Sequence, residues 1–263
     1  MTLHHTRSGR GKPLLLVHGL GGSHRSWDTI SGALAQTREV IALDLPGHGQ
    51  SPADADSGTF DGLARSLNDW LGAQNLIGID MVGSSMGGRL VLEMARQGRA
   101  GAVVALDPGG FWQGWERTFF QTTITASIAL VRALRPALPA ITRNAAGRTA
   151  LMLQLSAGPW ALDPALVLNE LRSFAGTPTF DSLVQDLANG PMQKGAESTS
   201  APVVIGWGRK DRLCLPQQAT RATAAFPAAT IRWFAQSGHF PMWDRPEETI
   251  RVILDATCRP SSA

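Results

Sequence analysis

The stretch Leu76-Ile77-Gly78-Ile79-Asp80-Met81-Val82-Gly83-Ser84-Ser85-Met86-Gly87-Gly88-Arg89-Leu90-Val91-Leu92-Glu93-Met94-Ala95-Arg96-Gln97-Gly98 decides how this chain is read. At its centre, Gly83-Ser84-Ser85-Met86-Gly87 has the pattern G-x-S-x-G, which sets a serine on a sharp strand-to-helix turn with its hydroxyl held out above a sheet. Side chains two residues before and two after that serine would meet neighbouring backbone, so Gly83 and Gly87 lack a Cβ for a reason. The apolar run from Leu76 to Val82 predicts a strand. From Met86 onward, Leu90, Val91 and Met94 recur at helical spacing, and Gly98 supplies a stop.

Working outward, four further segments place chemistry just after an apolar run. His18-Gly19-Leu20-Gly21-Gly22 follows Leu14–Val17, and Asp44-Leu45-Pro46-Gly47-His48-Gly49-Gln50-Ser51 follows Val40–Leu43. Asp211 comes after Val203–Ile205 and Gly206-Trp207-Gly208-Arg209-Lys210, and Gly238-His239-Phe240-Pro241 follows Ile231–Phe234. Nucleophile, acid and histidine therefore occur in the order Ser85, Asp211, His239. A serine hydroxyl needs a base within hydrogen-bond reach, and a carboxylate orients that base and stabilises the imidazolium that forms.

These matched segments, in this order, resemble the α/β-hydrolase superfamily along nearly the whole chain. The resemblance implies an α/β fold with a mostly parallel central sheet, helices on both faces, and an inserted helical cap. It implies Ser85 as nucleophile, His239 as base and Asp211 as acid, with Asp107, which ends another strand candidate, as the alternative acid. It also implies an oxyanion hole made by the backbone N–H groups of Leu20 and Met86, with His18, Gly19, Gly83 and Gly87 in support. No cofactor and no metal is implied.

Length and composition agree with that reading. At 263 residues, one domain with an insertion is the natural count. An apolar fraction of 43% with 17% charged residues is ordinary for a globular protein. A net charge of +3 without a basic stripe gives nucleic-acid binding little support. Cys214 and Cys258 suggest neither a disulfide framework nor a zinc site. No leader-like segment and no membrane-spanning apolar run is visible, so a cytoplasmic enzyme without membrane partners is expected.

Strand–helix alternation predicts a parallel sheet, with Ser23 capping a helix to about Gln36 and Thr59 capping another to about Leu71. The alternation breaks between 111 and 200, where helical segments rich in Ala, Leu and Thr take over. The expected division is a core of 1–110 and 201–263 with a lid of 111–200. The lid aromatics Phe111, Trp112, Trp115, Phe119, Phe120, Trp160, Phe174 and Phe180 are expected mostly to pack it onto the core, with one or two lining the cavity. Its arginines, Arg117, Arg132, Arg135, Arg143 and Arg148, read as solvated helix faces. His4 and His5 sit at a terminus, His24 is expected to face solvent, His48 to shape a loop, and Asp244 to begin the last helix.

The expected activity is hydrolysis of a small-molecule carboxylic ester through an acyl-enzyme, as in a carboxylesterase. Ser85 at the elbow suits acyl groups, whereas relatives that open haloalkanes or epoxides use aspartate there. Hydrolases that cleave carbon–carbon bonds in ring-fission diketones share Ser-Met-Gly-Gly, but carry Asn or His before the serine and Trp after the histidine; here these are Ser84 and Phe240. A perhydrolase or haloperoxidase and a small-molecule receptor built on the same fold remain as alternatives.

Overall fold

The computed structural model describes residues 2–257, so Cys258 lies outside the described residues. Among the described residues seven strands form one sheet: β1 (His5–Ser8), β2 (Pro13–Val17), β3 (Glu39–Leu43), β4 (Asp80–Ser84), β5 (Val103–Leu106), β6 (Val203–Gly208) and β7 (Thr230–Phe234). Their spatial order is β1-β3-β2-β4-β5-β6-β7. β1 runs antiparallel to β3 and every other pair is parallel, with Leu16 beside Val82 and Val104 beside Val204 in register.

The apolar runs are explained by burial on both faces. Leu15 and Val17 of β2 enter one hydrophobic cluster, and Leu14 and Leu16 enter another. Helices α2 (Phe60–Ala73) and α3 (Met86–Arg96) cover the first face with Leu63, Leu67, Leu90 and Met94. Helices α1 (Asp28–Leu34) and α11 (Pro246–Thr257) cover the second with Ile30, Leu34 and Ile253. Thr59 caps α2 by accepting from the Gly62 N–H, and Ser23 caps a short 3-10 turn, His24–Trp27, that leads into α1. Between β5 and β6 lie α4 (Trp115–Ala133), α5 (Leu138–Arg143), α6 (Ala145–Met152), α7 (Pro164–Gly176) and α8 (Phe180–Asn189). α9 (Gln218–Ala225) and the four-residue α10 (Pro241–Asp244) complete the helices.

Where β3 and β4 begin, Arg38 is buried against Asp80, with Nη2 donating to Oδ2 at 2.7 Å. Its Nη1 donates to the Thr257 hydroxyl at 2.6 Å and its Nε to the Lys12 carbonyl at 2.8 Å. One guanidinium thus ties the sheet to the end of α11.

Two local expectations change, and β1 is a strand that no sequence pattern announces. The strand expected from Leu76 begins only at Asp80, because Leu76 and Ile79 belong to a turn in which Gly78 has φ +82°. β1 carries no apolar alternation, since an edge strand with one antiparallel neighbour buries little. Asp244 ends α10 instead of beginning the last helix, which starts at Pro246.

Candidate active site

Ser85 occupies the junction between β4 and α3 with φ +57° and ψ −117°, a sparsely populated conformation for a residue with a Cβ. The turn is forced by close packing. A Cβ on Gly83 would lie 2.1 Å from the Gly87 carbonyl oxygen, and one on Gly87 the same distance from the Val17 carbonyl oxygen. The Ser85 N–H donates to Leu106 O, and its carbonyl accepts from Arg89 and Gly109. The turn after β2 passes directly beside it, since a Cβ on Gly19 would lie 3.1 Å from that of Ser85.

His239 and Asp211 come from the loops after β7 and β6. Both are buried, and His239 Nδ1 lies 2.8 Å from Asp211 Oδ2. The other carboxylate oxygen accepts from the backbone N–H groups of Leu213 (2.8 Å) and Cys214 (3.1 Å), which fixes its plane. With Nδ1 engaged, Nε2 is the ring atom left to act; it is buried and has no hydrogen-bond partner among the described residues. Ser85 and His239 line the same cavity.

Asp107 does not hold the histidine. Its Oδ1 accepts from the Gly208 N–H at 2.8 Å, and Oδ2 is buried without a partner among the described residues. Burial, followed by repulsion from Asp211, pushes its carboxyl well above the usual range.

The N–H groups of Leu20 and Met86 donate to no acceptor among the described residues. His18 braces the turn that carries Leu20. Its Nδ1 lies 2.7 Å from Gly19 O and its Nε2 accepts from the Leu45 N–H at 3.1 Å. Burial lowers its pKa, so it stays neutral in this brace. His48 sits against it, 5.1 Å between ring centroids, and burial pushes its pKa down to about 3.

The cavity, taken together with the solvent at its mouth, spans about 680 Å³. Three aromatics of the helical insertion, Phe120, Phe174 and Phe180, join Leu151, Leu171 and Phe240 in its walls. Among the described residues no Asp, Glu, Lys or Arg side chain lines it. Trp115 and Trp160, by contrast, are 62% and 56% exposed. Arg148 departs from a solvated helix face. It is buried, donating to the carbonyls of Thr142 and Trp160, and so clamps the insertion from within.

Asp244 is a site residue that the sequence does not disclose. Its carboxylate accepts from the Ser156 hydroxyl and the Ala157 N–H of the insertion, and from the Gly238 N–H at 2.7 Å. The His239 N–H donates to Leu155 O at 2.9 Å. Only its nearness to His239 in sequence hints at a role.

Known proteins share this fold. Residues 14–252 match the model of the alpha/beta hydrolase family. The chain belongs to the alpha/beta hydrolase family. Among family relatives, a 2-hydroxy-6-oxononadienedioate/2-hydroxy-6-oxononatrienedioate hydrolase of Paraburkholderia xenovorans is 27% identical, over 96% of this chain and 89% of its own length. Among solved structures, an esterase from Exiguobacterium antarcticum superposes with a TM-score of 0.79 at 17% identity, covering 98% of this chain and 96% of that one. An enol-lactonase from Burkholderia xenovorans gives 0.76 at 18% identity, with the same coverages. No helix among the described residues of this alpha/beta hydrolase is long and apolar enough to cross a membrane.

Proposed function

We propose that this hydrolase cleaves a small, uncharged carboxylic ester with an apolar acyl group, as a carboxylesterase does. The observation that carries the reading is that Ser85 and the unpartnered Nε2 of His239, a ring held by Asp211, open into one apolar cavity. Ser85 Oγ attacks the ester carbonyl as His239 Nε2 takes its proton. The N–H groups of Leu20 and Met86 stabilise the oxyanion, each such donor being worth about 10² to 10³ in rate. The proton passes to the departing alkoxide, and water then repeats the sequence on the acyl-enzyme, releasing the acid and restoring Ser85.

In this reading residues 111–200 form a cap that closes the cavity, and the core is 1–110 with 201–263. The uncharged lining supports a neutral ester over a carbon–carbon hydrolase reading. The name of the Paraburkholderia relative's substrate denotes a dicarboxylate, and such a dianion would meet no Lys or Arg in this cavity; Arg89 lines a smaller space that Ser85 also borders, but its guanidinium already donates to Gln193 and the Pro191 carbonyl.

Steady-state hydrolysis of p-nitrophenyl acetate, butyrate, octanoate and palmitate, with Ser85→Ala in parallel, tests the assignment. Serine-dependent turnover peaking at one chain length supports it. No turnover from a folded protein whose Ser85 still reacts with a fluorophosphonate overturns it and favours vinylogous diketone, peracid or receptor chemistry.

A further inference from the structure

Outside the active site, three ligand-type side chains from separate segments converge. His4 precedes β1, His24 opens the 3-10 turn after β2, and Asp44 follows β3. His4 Nδ1 lies 2.8 Å from Asp44 Oδ2, His24 Nδ1 lies 3.0 Å from Asp44 Oδ1, and the three ligand atoms fall within 4.8 Å of one another. We propose that His4, His24 and Asp44 bind one borderline divalent transition-metal ion, Zn²⁺ matching best, through the two Nδ1 atoms and a carboxylate oxygen.

Four features support the assignment. First, two imidazoles and a carboxylate suit a borderline ion, whereas Ca²⁺ and Mg²⁺ prefer oxygen ligands alone. Second, the histidine pair lies within 4.8 Å, and the two histidine–carboxylate distances fit. For bonds of about 2.0–2.1 Å, separations of this size correspond to ligand–metal–ligand angles of about 85–95°, and outward movement of each ring by a few tenths of an ångström gives a tetrahedral angle. Third, the ligands are held in advance. The His4 N–H donates to Ser51 Oγ, its carbonyl accepts from the Asp44 N–H, and the His24 N–H donates to Asp44 Oδ1. Little ordering is left to the binding step. Fourth, there is an entry path, because the Asp44 side chain is fully buried while those of His4 and His24 are 30% and 16% exposed.

Without metal, each Nδ1–H donates to Asp44. On binding, each ring moves its proton to Nε2, so two neutral imidazoles and one carboxylate meet the ion with no proton released from neutral histidine. A solvent molecule completes the coordination. The ion would staple the segment before β1 to the turns that flank His18 and Leu20.

Chelator-treated, untagged protein titrated with ZnCl₂ by calorimetry and with CoCl₂ by visible absorption tests this. His4→Asn and His24→Asn place an amide N–H near the position of Nδ1, keeping a donor for Asp44 while removing the ligating imidazole. One equivalent should bind to the wild type, with a zinc-dependent rise in Tm. Each variant should bind at least tenfold more weakly, and the double variant should lose binding while its metal-free Tm and ester turnover stay unchanged. Absence of stoichiometric binding by wild type, or equal binding by the double variant, overturns the proposal.

Discussion

Replacing Glu170 by glutamine should convert a pH-dependent stability into a flat one. Glu170 lies on α7 and is fully buried, its Oε2 accepting from the Ser26 hydroxyl at 3.0 Å. Burial pushes its carboxyl from an ordinary 4.5 up to about 8, Asp28 adding to the rise and Arg25 opposing it. The folded state therefore holds the protonated acid, whereas the unfolded chain ionises above 4.5. The stability contribution is complete below that value and is lost as pH rises towards 8. A rise of about 3.5 on the pH scale, at about 1.36 kcal/mol per unit, sets a ceiling near about 5 kcal/mol above about pH 8, of which about 3 kcal/mol is already lost at about pH 7. The glutamine side chain has the same shape, keeps a partner for Ser26 and never ionises. Urea unfolding at pH 5, 7 and 8.5 should give nearly coincident midpoints for wild type and Glu170→Gln at pH 5, with the variant increasingly more stable towards pH 8.5. A constant difference across the three pH values, or a wild type that gains on the variant as pH rises, would refute the reasoning.

Four other outcomes are expected. Ser85→Ala should lower kcat on p-nitrophenyl esters by about 10⁵-fold or more with an unchanged circular dichroism spectrum. Asp211→Asn should cost about 10³ to 10⁴ in kcat, because the amide leaves His239 in the wrong tautomer. Asp107→Asn, which keeps an acceptor for the Gly208 N–H and leaves the His239–Asp211 contact untouched, should stay within tenfold of wild type in the same assay. Arg38→Ala leaves the buried Asp80 carboxylate with Lys12 Nζ and the Ala102 N–H as partners, and should cost about 1–3 kcal/mol in denaturant unfolding, without altering the KM of the surviving folded enzyme.

The elbow is legible because its constraint is local: Gly83 and Gly87 are demanded by backbone atoms within reach of one turn, and the pattern says so. The buried parallel strands are legible for a similar reason, since β2 and β3 fill both faces of the sheet with continuous apolar runs. β1 is not, because its hydrogen bonds to β3 need no particular side chains. The run from Leu76 misleads on length, since apolar residues also pack beneath a turn. A solvent-facing His24 is the natural expectation because its partner, Asp44, lies twenty residues away, and no periodicity encodes a contact of that kind. The same holds for Arg148, which carries the composition of a surface helix yet bonds to carbonyls inside the insertion.

The grip of Asp244 on Ser156, Ala157 and Gly238 bears on how specificity in such an enzyme can be changed. Walls of the cavity supplied by α4 and α8 are free to vary residue by residue, because none of them touches the histidine loop through this carboxylate. The stretch 155–157 is different, since it is anchored to the backbone on either side of the Gly238–His239 bond. A chimaera that imports residues 111–200 from a relative therefore has to import hydrogen-bonding partners for Asp244 and for the His239 N–H as well. Otherwise a new substrate preference would come with a displaced His239.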